Sequence, residues 1–142
     1  MTAVVRAVDV EVGTELPPQS FRLQRVDLVK YAGASGDFNV IHWNERVATE
    51  VGLPNVIAHG MLTMAEAIRV VTDWCGDPGA VVEYGTKFTK PVLVPDDDAG
   101  ATVEVSAKVI EMLDGKRAKI ELIAICEGVK VLGMSRAVVQ LA

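Results

Sequence analysis

The chain has 142 residues, half of them hydrophobic, with a formal net charge of −5. That suits one domain with a sizeable core and argues against a nucleic-acid surface, which needs a basic stripe. No apolar run approaches the roughly 18–20 residues of a membrane span. The start, Met1-Thr2-Ala3-Val4-Val5-Arg6, lacks the apolar core and cleavage site of a signal peptide, so a cytoplasmic protein is expected. Two cysteines, Cys75 and Cys126, and two histidines, His42 and His59, are scattered without ligand spacing. Neither a metal site nor a disulfide nor a cofactor is expected, and both thiols read as small core residues.

Residues 3–12, with Val4, Val5, Val8, Val10 and Val12, predict a short strand. Gly13-Thr14 and Pro17-Pro18 break the chain, and residues 20–24 alternate as a second short strand. Asp27 sits in the first turn of a helix whose apolar positions, Leu28, Tyr31 and Ala32, fall at i, i+3 and i+4 and which ends at Gly33 or Gly36. Asn44 caps a short helix over 45–51 that Gly52 stops. Val56-Ile57-Ala58 is a short buried run. The longest helical pattern spans 61–74; it is apolar on nearly every side, which predicts burial, and Gly76 to Gly79 end it.

Everything beyond is strand-like. Residues 80–94 form one extended stretch with a bend at Pro91. Residues 95–100 are an acidic turn. Val103, Val105, Ala107 and Val109 alternate with polar residues, Asp114-Gly115 signals a hairpin, and Ala118 to Cys126 alternate again before a last strand over 129–141. One buried helix and several antiparallel strands make an α+β chain, best satisfied by a curved antiparallel β-sheet wrapped around the long helix.

Two stretches carry chemistry. In Gly36-Asp37-Phe38-Asn39-Val40-Ile41-His42, an acid, an amide and an imidazole follow within six residues after a helix. Asp37 and His42 are a complementary acid–base pair suited to proton transfer from a loop, although Gly-Asp-x-Asn is equally ordinary turn chemistry. Ala58-His59-Gly60 stands at the start of the long helix, where backbone N–H groups are unpaired and the dipole is positive. Gly60 would let a ligand oxygen approach, as an oxyanion hole requires; the bland alternative is a tight helix start with His59 capping or packing. Together the parts fit enolate chemistry on a thioester, such as loss of water from a 3-hydroxyacyl group. The residues alone leave hydrolysis of that thioester open.

Tyr31 to His42 resembles the signature of the MaoC-like (R)-specific enoyl hydratases and dehydratases, and Ile57-Ala58-His59-Gly60-Met61-Leu62 resembles their second segment. Within that family, Ile41-His42-Trp43, residues 58–64 and Gly76 to Val81 are most similar to the HadB-type catalytic subunit of mycobacterial (3R)-hydroxyacyl-ACP dehydratase. The resemblance implies a hot-dog fold over the whole chain, Asp37 and His42 as the catalytic pair, Asn39 orienting Asp37 or the water, and Gly60, with His59 beside it, at the thioester carbonyl. Val40 stands where the family commonly has proline, and Ile68 falls about where some relatives carry a serine.

The implied activity is (3R)-hydroxyacyl-thioester dehydration, or trans-2-enoyl hydration in reverse, in fatty acid elongation, and for the mycobacterial subunit type in mycolic acid elongation. The substrate would be an acyl-ACP or acyl-CoA thioester, and the partner a second copy or a related hot-dog subunit. Lys87, Lys90 and Arg136 are candidate docking positions for a carrier protein. The rivals are an acyl thioesterase on the same fold and a non-catalytic subunit or lipid-binding module.

Overall fold

The computed structural model describes residues 3–142. In chain order it contains β1 (Glu15–Leu23), α1 (Arg25–Ser35), α2 (Glu45–Glu50), α3 (Gly60–Cys75), β2 (Val81–Phe88), β3 (Ala101–Leu113), β4 (Arg117–Cys126), β5 (Val129–Lys130) and β6 (Leu132–Gln140). All strand pairings are antiparallel, in the order β1-β3-β4-β6-β2, with β5 on the end of β4. α3 packs against β1, β2, β3 and β4. This is the hot-dog arrangement, a sheet wrapped around one helix. Among the described residues no helix is long and apolar enough to cross a membrane.

Alternation sets the sheet faces. Ala101, Val103, Val105, Ala107 and Val109 of β3, and Ala118, Ile120, Leu122 and Ala124 of β4, are buried while their neighbours face outward, as period-2 patterning requires. α3 buries Leu62, Ala67, Val70, Val71 and Cys75 against that core, and Gly76, at φ 72°, closes it in a left-handed C-cap. Cys75 and Cys126 are buried free thiols; burial pushes the Cys75 thiol up to about 11.

Four expectations change. Residues 3–12 form no strand but a single turn of 3-10 helix at Ala7–Asp9, because their backbone bonds to α3 and the C-terminus: Val4 N–H donates to Cys75 O at 2.8 Å and Ala7 N–H to Ala142 O at 3.0 Å. β1 runs straight through Pro17-Pro18; it is an edge strand, where a missing N–H breaks no ladder, and its register slips between Leu16 and Gln19. The stretch 80–94 breaks after Phe88, and its far end pairs elsewhere, Ala58 N–H donating to Val92 O and Val94 N–H to Val56 O, both at 2.9 Å. The last strand splits at Val131, β5 pairing with one end of β4 and β6 with the other.

α1 and α2 match expectation. Gly36, at φ 78°, ends α1, and Asn44 accepts from Val47 N–H at the start of α2. Arg25 ties these helices to the extended segments: Nε donates to Val94 O at 2.6 Å, and Nη2 to Asn55 Oδ1 at 2.8 Å and Glu45 at 3.0 Å. That tie fixes the frame on which the loop after α1 rests.

Candidate active site

The loop from Gly36 to His42 is held by its own side chains. Asp37 N–H donates to Ser35 Oγ at 3.1 Å, Asn39 N–H to Asp37 Oδ1 at 3.1 Å, and Ile41 N–H to Asn39 Oδ1 at 3.3 Å. These are Asx turns and an N-cap, the chemistry these residue types favour. They lead into a single 3-10 turn, Val40–His42, which turns His42 inward. Asp37 stays exposed, whereas His42 is buried. The side-chain carbonyl of Asn39, the residue expected to orient Asp37 or the water, caps this turn; among the described residues the Asn39 Nδ2 makes no hydrogen bond.

His42 is fixed from the far side by the segment before α3. Ile57 N–H donates to Ile41 O at 3.3 Å, and His42 Nδ1 lies 2.7 Å from Ile57 O. A carbonyl only accepts, so Nδ1 carries a hydrogen, and in the neutral ring the lone pair lies on Nε2. The neutral ring held this way presents Nε2, not Nδ1, as its acceptor.

His59, expected with Gly60 at the thioester, is buried against His42 and does not line the cleft that Gly60 lines. Its ring is 2% exposed, makes no capping bond to α3, and directs Nε2–H to the backbone carbonyl of Asp37 at 3.1 Å. It stacks on His42 with ring centroids 3.8 Å apart and planes at 25°, and packs on Tyr31 of α1 at 4.8 Å. Burial lowers its pKa below the ordinary imidazole value, with the Asp37 carbonyl opposing and His42 reinforcing the shift.

One carboxylate oxygen of Asp37 and one ring nitrogen each of His42 and His59 lie within 4.8 Å of one another. Such a trio also suggests a metal. The nearly parallel stack of the two imidazoles argues otherwise: their lone pairs lie in separate planes, whereas ligands at about 2.0–2.1 Å must converge on one point.

A cleft of about 270 Å³ opens beside this pair, lined by His42, Gly60, Thr63 and Phe88 with apolar walls that include Val92 and Leu132. Gly60 is the first residue of α3, and among the described residues its N–H has no partner, as the first helical N–H groups do not. Gly60 and His42 thus share one cleft, which places an unpaired donor and a base where a single substrate can meet both. Of the three cations singled out for docking, Lys90 lines the cleft, while Lys87 and Arg136 lie on paired positions of β2 and β6.

Two residues of the cleft carried no functional signal in the sequence. Thr63 is a buried hydroxyl, 3% exposed, one turn into α3; a threonine on the buried face of an apolar helix was the available clue. Phe88 ends β2, after a bulge that sets Met134 and Ser135 of β6 against the single Thr86. Its place depends on that register, which no local pattern encodes.

Comparison with known proteins adds to this geometry. The family described as MaoC like domain matches residues 7–135. Over 83 residues the chain is 39% identical to 3-hydroxyacyl-thioester dehydratase X of Mycobacterium tuberculosis, covering 57% of this chain and 29% of that protein. Over 86 residues it is 37% identical to the (R)-specific enoyl-CoA hydratase of Rhodospirillum rubrum, covering 60% of this chain and 59% of that one. A solved structure described as a MaoC-like dehydratase superposes with a TM-score of 0.94 at 38% identity, over 99% of this chain and 44% of that chain. The matched region therefore spans less than two thirds of each of these relatives.

Proposed function

The chain belongs to the MaoC-like domain family, and from that premise we propose that it is a hydro-lyase interconverting (3R)-hydroxyacyl and trans-2-enoyl thioesters. The observation that carries the reading is the hydrogen bond from His42 Nδ1 to Ile57 O. It leaves Nε2 as the ring nitrogen free to meet a substrate; a ring nitrogen of His42 lies within 4.8 Å of an Asp37 carboxylate oxygen, and His42 shares its cleft with Gly60.

In the dehydration direction His42 Nε2 accepts the C2 proton. The electron pair shifts toward the thioester carbonyl, whose growing negative charge the Gly60 N–H and the positive end of α3 stabilise. The pair then forms the C2=C3 bond as the C3–O bond breaks, and the departing hydroxyl takes a proton from Asp37 to leave as water. One proton enters at His42 and one leaves from Asp37. Proton exchange with solvent, through the exposed Asp37 and the cleft that His42 lines, restores the starting state. Exchanging their roles gives the same proton balance. The free Nδ2 of Asn39 is available to hold the hydroxyl or the water.

The cleft's apolar walls suit the first carbons of an acyl chain, and Lys90 offers a cation to a phosphate of coenzyme A or of a carrier protein. Phe88 lines the cleft, Phe38 and Trp43 flank the site residues Asp37 and His42 in the chain, and Met61 follows Gly60; all four are more than half exposed. This patch supports pairing with a second hot-dog domain, from another copy or a related chain.

The test is stereochemical. The chain should dehydrate a (3R)-hydroxyacyl-CoA with appearance of enoyl absorbance, leave the (3S) epimer unchanged, and release no free thiol. Thiol release without enoyl formation would make it a thioesterase.

A further inference from the structure

We infer that His59 is a positioning residue of this reaction: its buried imidazole pins the main chain of Asp37 and backs the ring of His42, holding the pair without meeting the substrate. The inference rests on the hydro-lyase reading of the site. It draws on three independent features of one side chain.

The first is the bond from His59 Nε2 to the Asp37 carbonyl, 3.1 Å long and spanning 22 residues. It is a side-chain tie between the start of α3 and the loop that presents the carboxylate. Apart from it, the hydrogen bonds of Asp37 among the described residues stay within its own exposed loop. The second is the stack. At 3.8 Å and 25°, the His59 ring forms a flat wall that fixes the plane of His42 and so the direction of its Nε2 lone pair.

The third is the state of His59 itself. Its Nδ1 is buried with no hydrogen-bond partner among the described residues. Since the carbonyl of Asp37 requires the hydrogen on Nε2, Nδ1 is a bare acceptor in an apolar setting. A fold tolerates an unsatisfied buried atom poorly, and the His59 side chain makes no capping bond to α3. The stack supplies a reason. When His42 takes the C2 proton it becomes a cation stacked on this ring, and a second charged imidazole there would repel it. The titratable groups that face His59 are Tyr31 from α1, Asp37 from the loop and His42 from the 3-10 turn. Burial favours the neutral form of His59.

The experiment uses the full chain, whose two histidines give two assignable imidazole signals by nitrogen-detected NMR. Wild type is compared with His59→Phe, which keeps a ring but no donor, and His59→Gln, which keeps a donor but no ring; unchanged amide spectra for the strands verify folding. The wild-type His59 signal should report the Nε2–H tautomer and remain neutral where an ordinary histidine titrates, near 6.5. In His59→Phe, kcat for enoyl-CoA hydration should fall by about 10²-fold, the scale of a misplaced catalytic group, with KM little changed, and His59→Gln should recover part of the loss.

Wild-type kcat in His59→Phe, with the His42 signal still reporting Nδ1–H as in wild type, would overturn the inference. If wild type itself does not hydrate enoyl-CoA, the hydro-lyase reading fails. The His42 tautomer and titration in His59→Phe then decide the positioning role separately: altered signals support it, unaltered ones reject it.

Discussion

The face of the Phe88 ring lies on the Cα of Gly60, so that a Cβ at position 60 would stand 2.8 Å from one ring carbon and 2.9 Å from two more. The missing side chain at the start of α3 is thus needed by the protein's own phenylalanine as well as by any ligand. The space expected for an incoming oxygen is bounded by an aromatic ring that is itself 54% exposed.

Gly60→Ala must displace Phe88. We expect a loss of about 1–3 kcal/mol from overpacking, read as a lower urea midpoint, together with a fall in hydration rate. Phe88→Ala should be well tolerated alone and should restore most of the stability of Gly60→Ala in the double variant. Additive losses would show that the ring does not press on position 60.

The Asn39 carbonyl caps the turn that carries His42. Asn39→Ala should cost about 0.5–2 kcal/mol, the range for lost caps, and should lower kcat more than it changes KM, because it loosens the base and not the thioester contact. Asn39→Asp retains an acceptor and should recover the stability. If it recovers the rate as well, the Nδ2 has no part in handling water.

His59 makes stability depend on pH in a fixed direction. Its folded pKa lies below the ordinary 6.5, so in mildly acidic solution the unfolded chain binds a proton on His59 that the folded chain does not. The contribution of neutral His59 is fully present above about 6.5 and is lost as pH falls from there toward the depressed folded value. Urea midpoints measured downward from about pH 8 should decline in that window. The decline should be smaller in His59→Phe, and an identical decline would assign it to other groups.

Much of the fold is legible in the sequence where local pattern and tertiary demand agree. α3 is marked by an apolar run ending at Gly76, and β3 and β4 by strict alternation around Asp114-Gly115. Patterns fail where a distant partner decides. The valines of residues 3–12 look like a strand, but their backbone partners are Cys75 and Ala142. Pro17-Pro18 looks like a break, but an edge strand tolerates it. The site divides in the same way. Asp37, Asn39 and His42 are visible because short-range spacing brings them together. The side on which His59 falls follows from how α3 docks against the loop, and the contact of Phe88 with Gly60 from a bulge between β2 and β6. Neither leaves a local signature.

The central claim is that Asp37 and His42 move the protons of an enoyl hydration. The most direct measurement is the rate at which trans-2-enoyl-CoA absorbance disappears with the wild-type chain, beside Asp37→Asn and His42→Ala at matched concentration and folded state. The account predicts that each variant loses about 10²–10⁴-fold in kcat, the contribution of a positioned acid or base, with KM nearly unchanged. A near wild-type rate in either variant would remove that residue from the chemistry and contradict the account.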